Sequence, residues 1–327
     1  MIADIAASNS NYCTHNMKIC LTALFLTLLT IPLMSEDSKP DLSHMLLHST
    51  VRIVAIKANG QAAVGTGFFY NIRDVSGQNT NGFIPLIVTC KHVIADSIIV
   101  QLDCALGNSN SFTRSENHFP VTVPSNMWIG DPNTNVDLIV LPIASLLENL
   151  EKQGKILDCA PLDNKLVPSA NDLKGLEAFQ EIYLIGYPIG ISDEANNLPI
   201  MRRGITATDP SVDYDGRKEF MIDAAVFPGS SGSPVLTAEE GIISSGGMLG
   251  FGGSRVRLLG ILYGGPEFSA DGKVEVKNIP TAFDISSETK IPMNLGLVIK
   301  ANRLDDFQSV FAEILKKQAQ LKLAPQK

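Results

Sequence analysis

The segment Phe227-Pro-Gly-Ser-Ser-Gly-Ser-Pro-Val235 holds the strongest chemical signal in the chain. It sets Ser231 in a tight turn between two strands, flanked by Gly229 and Gly232. A nucleophilic serine needs an exposed hydroxyl and backbone N–H groups converging beside it, and glycine lets a turn fold that closely. A plain Gly/Ser hairpin has the same composition, so the presence of a base decides the matter. The five histidines, at 15, 44, 48, 92 and 118, all precede Ser231. That removes the α/β-hydrolase order of Ser, acid, His, and leaves His–acid–Ser or acid–His–Ser open. His92 stands where the apolar strand Ile84–Thr89 gives way to a short helical turn through Val93, Ile94 and Ala95. His118 adjoins the polar stretch Asn108–Asn117 and reads as a solvated loop residue, while His44 and His48 lie near the expected mature N-terminus. Asp137 opens the apolar run Leu138–Pro142, as either a carboxylate at the edge of a core strand or a plain solvated turn residue.

The elements that must position these groups are short β-branched runs cut by turn residues. Val51–Ile56, Gly67–Tyr70, Ile84–Thr89, Ile98–Leu102 and Leu138–Leu141 form one series. Ile182–Ile185, Gly204–Thr208, Phe220–Ile222, Pro234–Leu236, Leu258–Tyr263 and Leu297–Ile299 form a second. Strands at this spacing, without long helices between them, predict an all-β barrel or sandwich. A helix near Leu146–Gln153 and a polar linker to about Gly175 separate the two series, so two β-domains in tandem are expected. The last helix begins at Asp305 and Asp306 and carries the stripe Leu304, Phe307, Val310, Phe311, Ile314 and Leu315, which should dock on the second domain.

Composition narrows the partners. The chain has 327 residues, 45% hydrophobic and 18% charged, with a net charge of −8 and no basic block, which argues against nucleic acid. Lys18, the apolar run Ile19–Met34 and the polar exit from Ser35 describe a secretory leader. The protein is therefore expected to be exported, periplasmic or secreted, with no membrane contact after leader removal; an uncleaved anchor is the competing reading. Beyond that leader only Cys90, Cys104 and Cys159 remain, an odd count that reads as buried hydrophobes rather than a disulfide framework. Nothing in the sequence sets an oligomeric state.

Four segments share one resemblance: Gly65-Thr-Gly-Phe-Phe69, Val88-Thr-Cys-Lys-His-Val-Ile94, Asn135-Val-Asp-Leu-Ile-Val-Leu141 and Gly229-Ser-Ser-Gly-Ser-Pro-Val235. In order and spacing they resemble the signatures of trypsin-like serine peptidases of the bacterial, non-zymogen type, over roughly residues 48–315. The resemblance implies two tandem antiparallel β-barrels of the chymotrypsin type with a C-terminal α-helix. Residues 1–35 would be leader or extension, 45–155 the first barrel with His92 and Asp137, and 176–327 the second barrel with Ser231 and the helix. It implies a His92–Asp137–Ser231 triad, an oxyanion hole from the N–H groups of Gly229 and Ser231, a polypeptide substrate, and neither metal nor organic cofactor. It places the floor of the primary pocket near Ala225 and a wall at Tyr263, Gly264 and Gly265.

The sequence departs from the digestive enzymes of that family. Ser230 precedes the nucleophile where they have Asp, so the salt bridge to a newly cut N-terminus cannot form. The cysteine usual after the histidine is missing, and Cys90 stands two residues before it. No charge near Ala225 would pair with Lys or Arg, so a small or medium apolar side chain before the cleaved bond is expected. The Gly- and Ser-rich segment Glu239–Ser254 is expected to be a mobile loop beside this pocket. A catalytically silent binding protein on the same fold, and an esterase using the same triad, are the alternatives.

Overall fold

The computed structural model describes residues 42–74, 82–108, 111–245, 248–274 and 285–323. The leader, residues 1–35, lies outside them. After a short helix α1 (Leu42–Leu47) come β1 (Thr50–Lys57), β2 (Ala62–Arg73), β3 (Phe83–Thr89), the helical turn α2 (Lys91–Ile94), β4 (Ser97–Asn108), β5 (Ser111–Pro124), β6 (Ile129–Gly130) and β7 (Ile139–Pro142). These strands form one sheet in the order β5-β4-β1-β2-β3-β7-β6. Helix α3 (Ala144–Lys152) follows, close to where the sequence placed it.

The segment expected to be a linker is more than that. It supplies β8 (Ile156–Leu157), which pairs with β4, and β9 (Leu162–Asp163), which pairs parallel with β2. Two-residue strands are too short to show an alternation, yet Leu162 is fully buried. Helix α4 (Ala170–Lys174) ends the segment, opened by a capping box between Ser169 and Asp172.

The second half closes on itself. Strands β10 (Glu181–Gly186), β11 (Ile200–Thr206), β12 (Glu219–Asp223), β13 (Pro234–Ser245), β14 (Met248–Gly264) and β17 (Leu295–Lys300) form a barrel in the order β10-β11-β12-β17-β14-β13. Strands β15 (Glu267–Val274) and β16 (Ile285–Pro292) make a separate ribbon. The barrel interior is filled by inward residues of alternate positions: Ile182 and Leu184, Phe220 and Ile222, Val235, Leu262 and Val298. Each such side chain contributes about 1.5–3 kcal/mol relative to exposure. The chain is thus all-β with a C-terminal helix, as the pattern of short strands predicted.

One expectation is corrected here. The segment Glu239–Ser254 is not an irregular loop, because its backbone continues the β13–β14 pairing from Glu239↔Arg255 to Ser245↔Met248. Glycine and serine content signals low side-chain volume, but strand pairing uses backbone groups that every residue except proline supplies. The C-terminal helix α5 (Asp306–Leu323) packs outside the barrel interior. Leu304, Phe307 and Phe311 belong to the larger cluster, which holds Leu236, Leu258, Ile261 and Ile299 of the second barrel as well as Tyr70, Leu138 and Leu141 of the first half.

Candidate active site

His92 lies in the turn α2, directly after β3 delivers Thr89 and Cys90 into the core. The turn sits close on β2 because residue 65 is glycine: a Cβ there would stand 2.3 Å from Val93 Cγ1. Asp137 precedes the fully buried Leu138 and is held at the entry to β7. Its Oδ2 lies 2.5 Å from His92 Nδ1, and its Oδ1 accepts the His92 backbone N–H at 3.0 Å. A carboxylate only accepts, so Nδ1 carries the proton and the Nε2 lone pair is left for a second partner. The imidazole is 48% exposed and the carboxylate 25%, so the pair faces a cleft rather than the core.

Ser231 occupies the turn between Phe227 and Pro234, and it lines the same pocket as His92. The pocket, of about 230 Å³, is walled by Val226, Phe227, Tyr263, Gly264, Gly265 and Leu295, among others. The structure thus places Tyr263, Gly264 and Gly265 in the lining. Ala225 does not line the pocket, and its carbonyl accepts a hydrogen bond from Arg202 Nη1. Val226 and Leu295 supply the apolar lining instead. No hydrogen bond among the described residues joins Ser231 to His92; Ser231 Oγ donates to the Tyr263 carbonyl at 3.4 Å.

The turn itself is set by carbonyls. Ile189 N–H donates to Pro228 O at 2.5 Å, and a planar trans peptide then points the Gly229 N–H the opposite way. Thr66 Oγ1 donates to Gly229 O at 2.9 Å, Ser233 N–H to Ser230 O at 3.0 Å, and Thr66 N–H to Ser231 O at 2.9 Å. Among the described residues neither the Gly229 nor the Ser231 N–H has an acceptor. Two unpaired donors thus stand two residues apart on either side of the buried Ser230.

Thr66 is the residue that sequence reasoning passed over. Its side chain also accepts the Tyr187 N–H at 3.0 Å, and its carbonyl accepts Thr89 Oγ1 at 2.7 Å. One buried threonine thereby ties β2, the end of β3, the turn after β10 and the Ser231 turn together. Its position between Gly65 and Gly67 was the available signal.

Cys90, His92 and Asp137 offer ligand atoms within 4.8 Å of one another, a spacing a metal could use. The Cys90 thiol is a poor donor for it. Burial, and then the Asp137 charge, push its pKa well up, and its Sγ is engaged with Leu262 O at 3.4 Å. All three described cysteines are free thiols.

His118 is a correction. It stands in β5, not in a loop, with Nε2 2.6 Å from the Glu194 carbonyl and Nδ1 3.1 Å from Asp103. Both ring nitrogens face acceptors, which only the imidazolium satisfies. The Glu194 carbonyl, then Asp103, accordingly hold its pKa above the ordinary histidine value, against burial and the opposing charge of Arg52. Together with Asn197, whose Nδ2 donates to the carbonyls of Asp103, Cys104 and Asn117, it pins the loop after Gly190 to the first sheet. A raised folded pKa adds stability that is fully present below the unfolded value of about 6.5 and is lost as pH rises through the folded pKa. The thermal-stability advantage of wild type over His118→Gln is therefore expected to be greatest in mild acid and to fade toward alkaline pH. An advantage independent of pH would contradict it.

A β-sheet unit and a closed β-barrel, with a paired His and Asp from one and a glycine-flanked serine from the other, define the class of trypsin-like peptidases. The trypsin-like peptidase domain model matches residues 65–243, and the chain belongs to that family. No curated protein matches the sequence. Among solved structures it is similar to the HtrA-type protease AlgW with a tripeptide, at 16% identity over 83% of this chain and 64% of that one, with a TM-score of 0.42. A serine endoprotease from Yersinia pestis is similar at 14% identity over 85% of this chain and 68% of that one, TM-score 0.44. The active form of the Rv3671c protease from M. tuberculosis is similar at 15% identity over 82% and 86%, TM-score 0.38. The chain thus spans 64% of the length of the AlgW structure it matches.

Proposed function

We propose that the protein is a serine endopeptidase that cleaves polypeptides through an acyl-enzyme. Ser231 Oγ attacks the scissile carbonyl, and His92 takes its proton and returns it to the leaving amine. Asp137 holds the imidazole tautomer and stabilises the imidazolium, and the Gly229 and Ser231 N–H groups receive the oxyanion. The observation that carries this reading is that one pocket is lined by both Ser231 and His92, with Asp137 on the far ring nitrogen of the histidine. The apolar lining from Val226 and Leu295 supports a small or medium apolar side chain before the cleaved bond. Export directed by residues 1–35 is part of the proposal and rests on the leader pattern alone. Among the described residues no helix is long and apolar enough to cross a membrane.

One observation favours the second reading, a catalytically silent binding protein: the Ser231 hydroxyl is engaged with Tyr263 O rather than with His92. Catalytic hydrogen bonds are often formed only once substrate is present, so a chemical probe separates the two. A fluorescent fluorophosphonate is expected to label the protein at Ser231, mapped by mass spectrometry, and a peptide library to be cut after Ala, Val or similar residues. A folded protein that is neither labelled nor cuts any library peptide is the silent one. Ester turnover with the library untouched would make it an esterase.

A further inference from the structure

Beneath the nucleophile turn lies a charged residue to which the reaction scheme gives no task. Arg202 stands on β11 with its side chain mostly buried. Its Nη2 donates to Ser230 Oγ at 2.9 Å, and its Nη1 donates to Ala225 O. Ser230 is itself fully buried, and its Oγ also accepts the Phe227 N–H at 3.4 Å. Among the described residues its hydrogen bonds go to Ala225 O and Ser230 Oγ and none to a carboxylate, and its Nε is buried without an acceptor. Burial accordingly draws its pKa below the usual arginine value. A buried cation without an acid is unfavourable by itself, and a buried donor without a partner calls for an explanation.

The placement supplies one. Val226, Phe227 and Pro228 line the substrate pocket, whereas Arg202 does not. It meets the same loop at both ends, at Ala225 and at Ser230, from outside the pocket. The strand brings it there because β11 runs close against the loop's entry: a Cβ on Gly204 would stand 2.4 Å from Asp223 O. Ser230 is the position where a zymogen-type enzyme would carry the acid that receives a new N-terminus. Here the position holds a neutral hydroxyl that is hydrogen-bonded to a cation of the same barrel.

We propose that Arg202 is a positioning residue for the proposed hydrolysis: it clamps Ala225 and Ser230, and so sets the pocket wall and the two N–H groups that receive the oxyanion. A planar fork can hold two acceptors at fixed separation, which a lysine ammonium cannot. The uncompensated positive charge behind the turn also favours the negative charge that develops on the substrate oxygen. The inference rests on the serine-peptidase reading.

The test compares wild type, Arg202→Ala and Arg202→Lys in the full-length protein. Each is assayed for fluorophosphonate labelling rate, for kcat and KM on a quenched peptide with Val before the scissile bond, and for thermal unfolding. Arg202→Ala is expected to lose about 10- to 100-fold in kcat and labelling rate with KM changed less than threefold, since a direct oxyanion donor is worth about 10²–10³. Millimolar guanidinium ion should restore part of that loss by filling the vacated site. Arg202→Lys keeps the charge without the fork and serves if the alanine variant does not fold; about a fivefold loss in kcat is expected, again at nearly constant KM. A folded variant with wild-type kcat, or a loss that tracks the unfolded fraction with no rescue, overturns the proposal while leaving the peptidase reading intact. Wild type that does not label overturns both.

Discussion

Ser231→Ala and His92→Ala are each expected to lower kcat on a peptide substrate by about 10⁶, and Asp137→Asn by about 10⁴. In the proposed mechanism the first two remove the atom that would bond to the substrate and the base that would take its proton. The third leaves the contact but reverses its logic: an amide NH2 facing Nδ1 favours the tautomer with the proton on Nε2, and the base is lost. The geometry makes this especially direct, because Asp137 holds both His92 Nδ1 at 2.5 Å and the His92 backbone N–H at 3.0 Å. Removing Ser231 and His92 together should cost little more than removing either, since the groups act as a unit. Steady-state kinetics on purified variants, with folding checked by circular dichroism, measure this. An alanine at 231 that retained turnover would end the proposed mechanism.

Gly232→Ala is expected to abolish labelling and activity through the backbone alone. Residue 232 has φ +89, in the region an L side chain rarely adopts, and an added Cβ would lie 1.9 Å from Thr66 O and 2.6 Å from Thr89 Oγ1. The conformational penalty is about 1–2 kcal/mol, and overpacking adds about 1–3 kcal/mol. At roughly 2–4 °C per kcal/mol for a domain of this size, the melting temperature should fall by about 4–20 °C. The functional loss should exceed what that destabilisation explains. The displaced atom belongs to Thr66, whose N–H holds Ser231 O and whose Oγ1 holds Gly229 O. Gly60→Ala is the control: it has a similar φ of +81 with nothing within 4 Å of the added Cβ. It should show the backbone penalty and keep full activity. Equal activity losses at 60 and 232 would mean that the Thr66 contact is not what matters.

Much of the site was legible in the chain. The strand–turn residues around Ser231, the apolar strand ahead of His92 and the carboxylate at the edge of Leu138–Pro142 are local patterns. Local patterns are what backbone propensity and side-chain alternation write into a sequence. The same holds for the short strands of both β units and for the apolar stripe of α5. Where expectation and structure part, the missing information was non-local. His118 read as a loop residue because its partners, Asp103 and Glu194, are 15 and 76 residues away.

The sequence by itself therefore determined the chemistry at hand: a serine in a glycine turn, a histidine and an acid ahead of it, and short strands to hold them. Only the tertiary structure decided that Val226 rather than Ala225 faces the pocket. It also decided that Thr66 ties Gly229 and Ser231 in place, and that Arg202 reaches Ser230 from behind. The Arg202–Ser230 and Thr66–Gly229 contacts span 28 and 163 residues of chain. They depend on strand register and on which way each side chain points once the barrel has closed, and a one-residue change of register would send each of them to the opposite face.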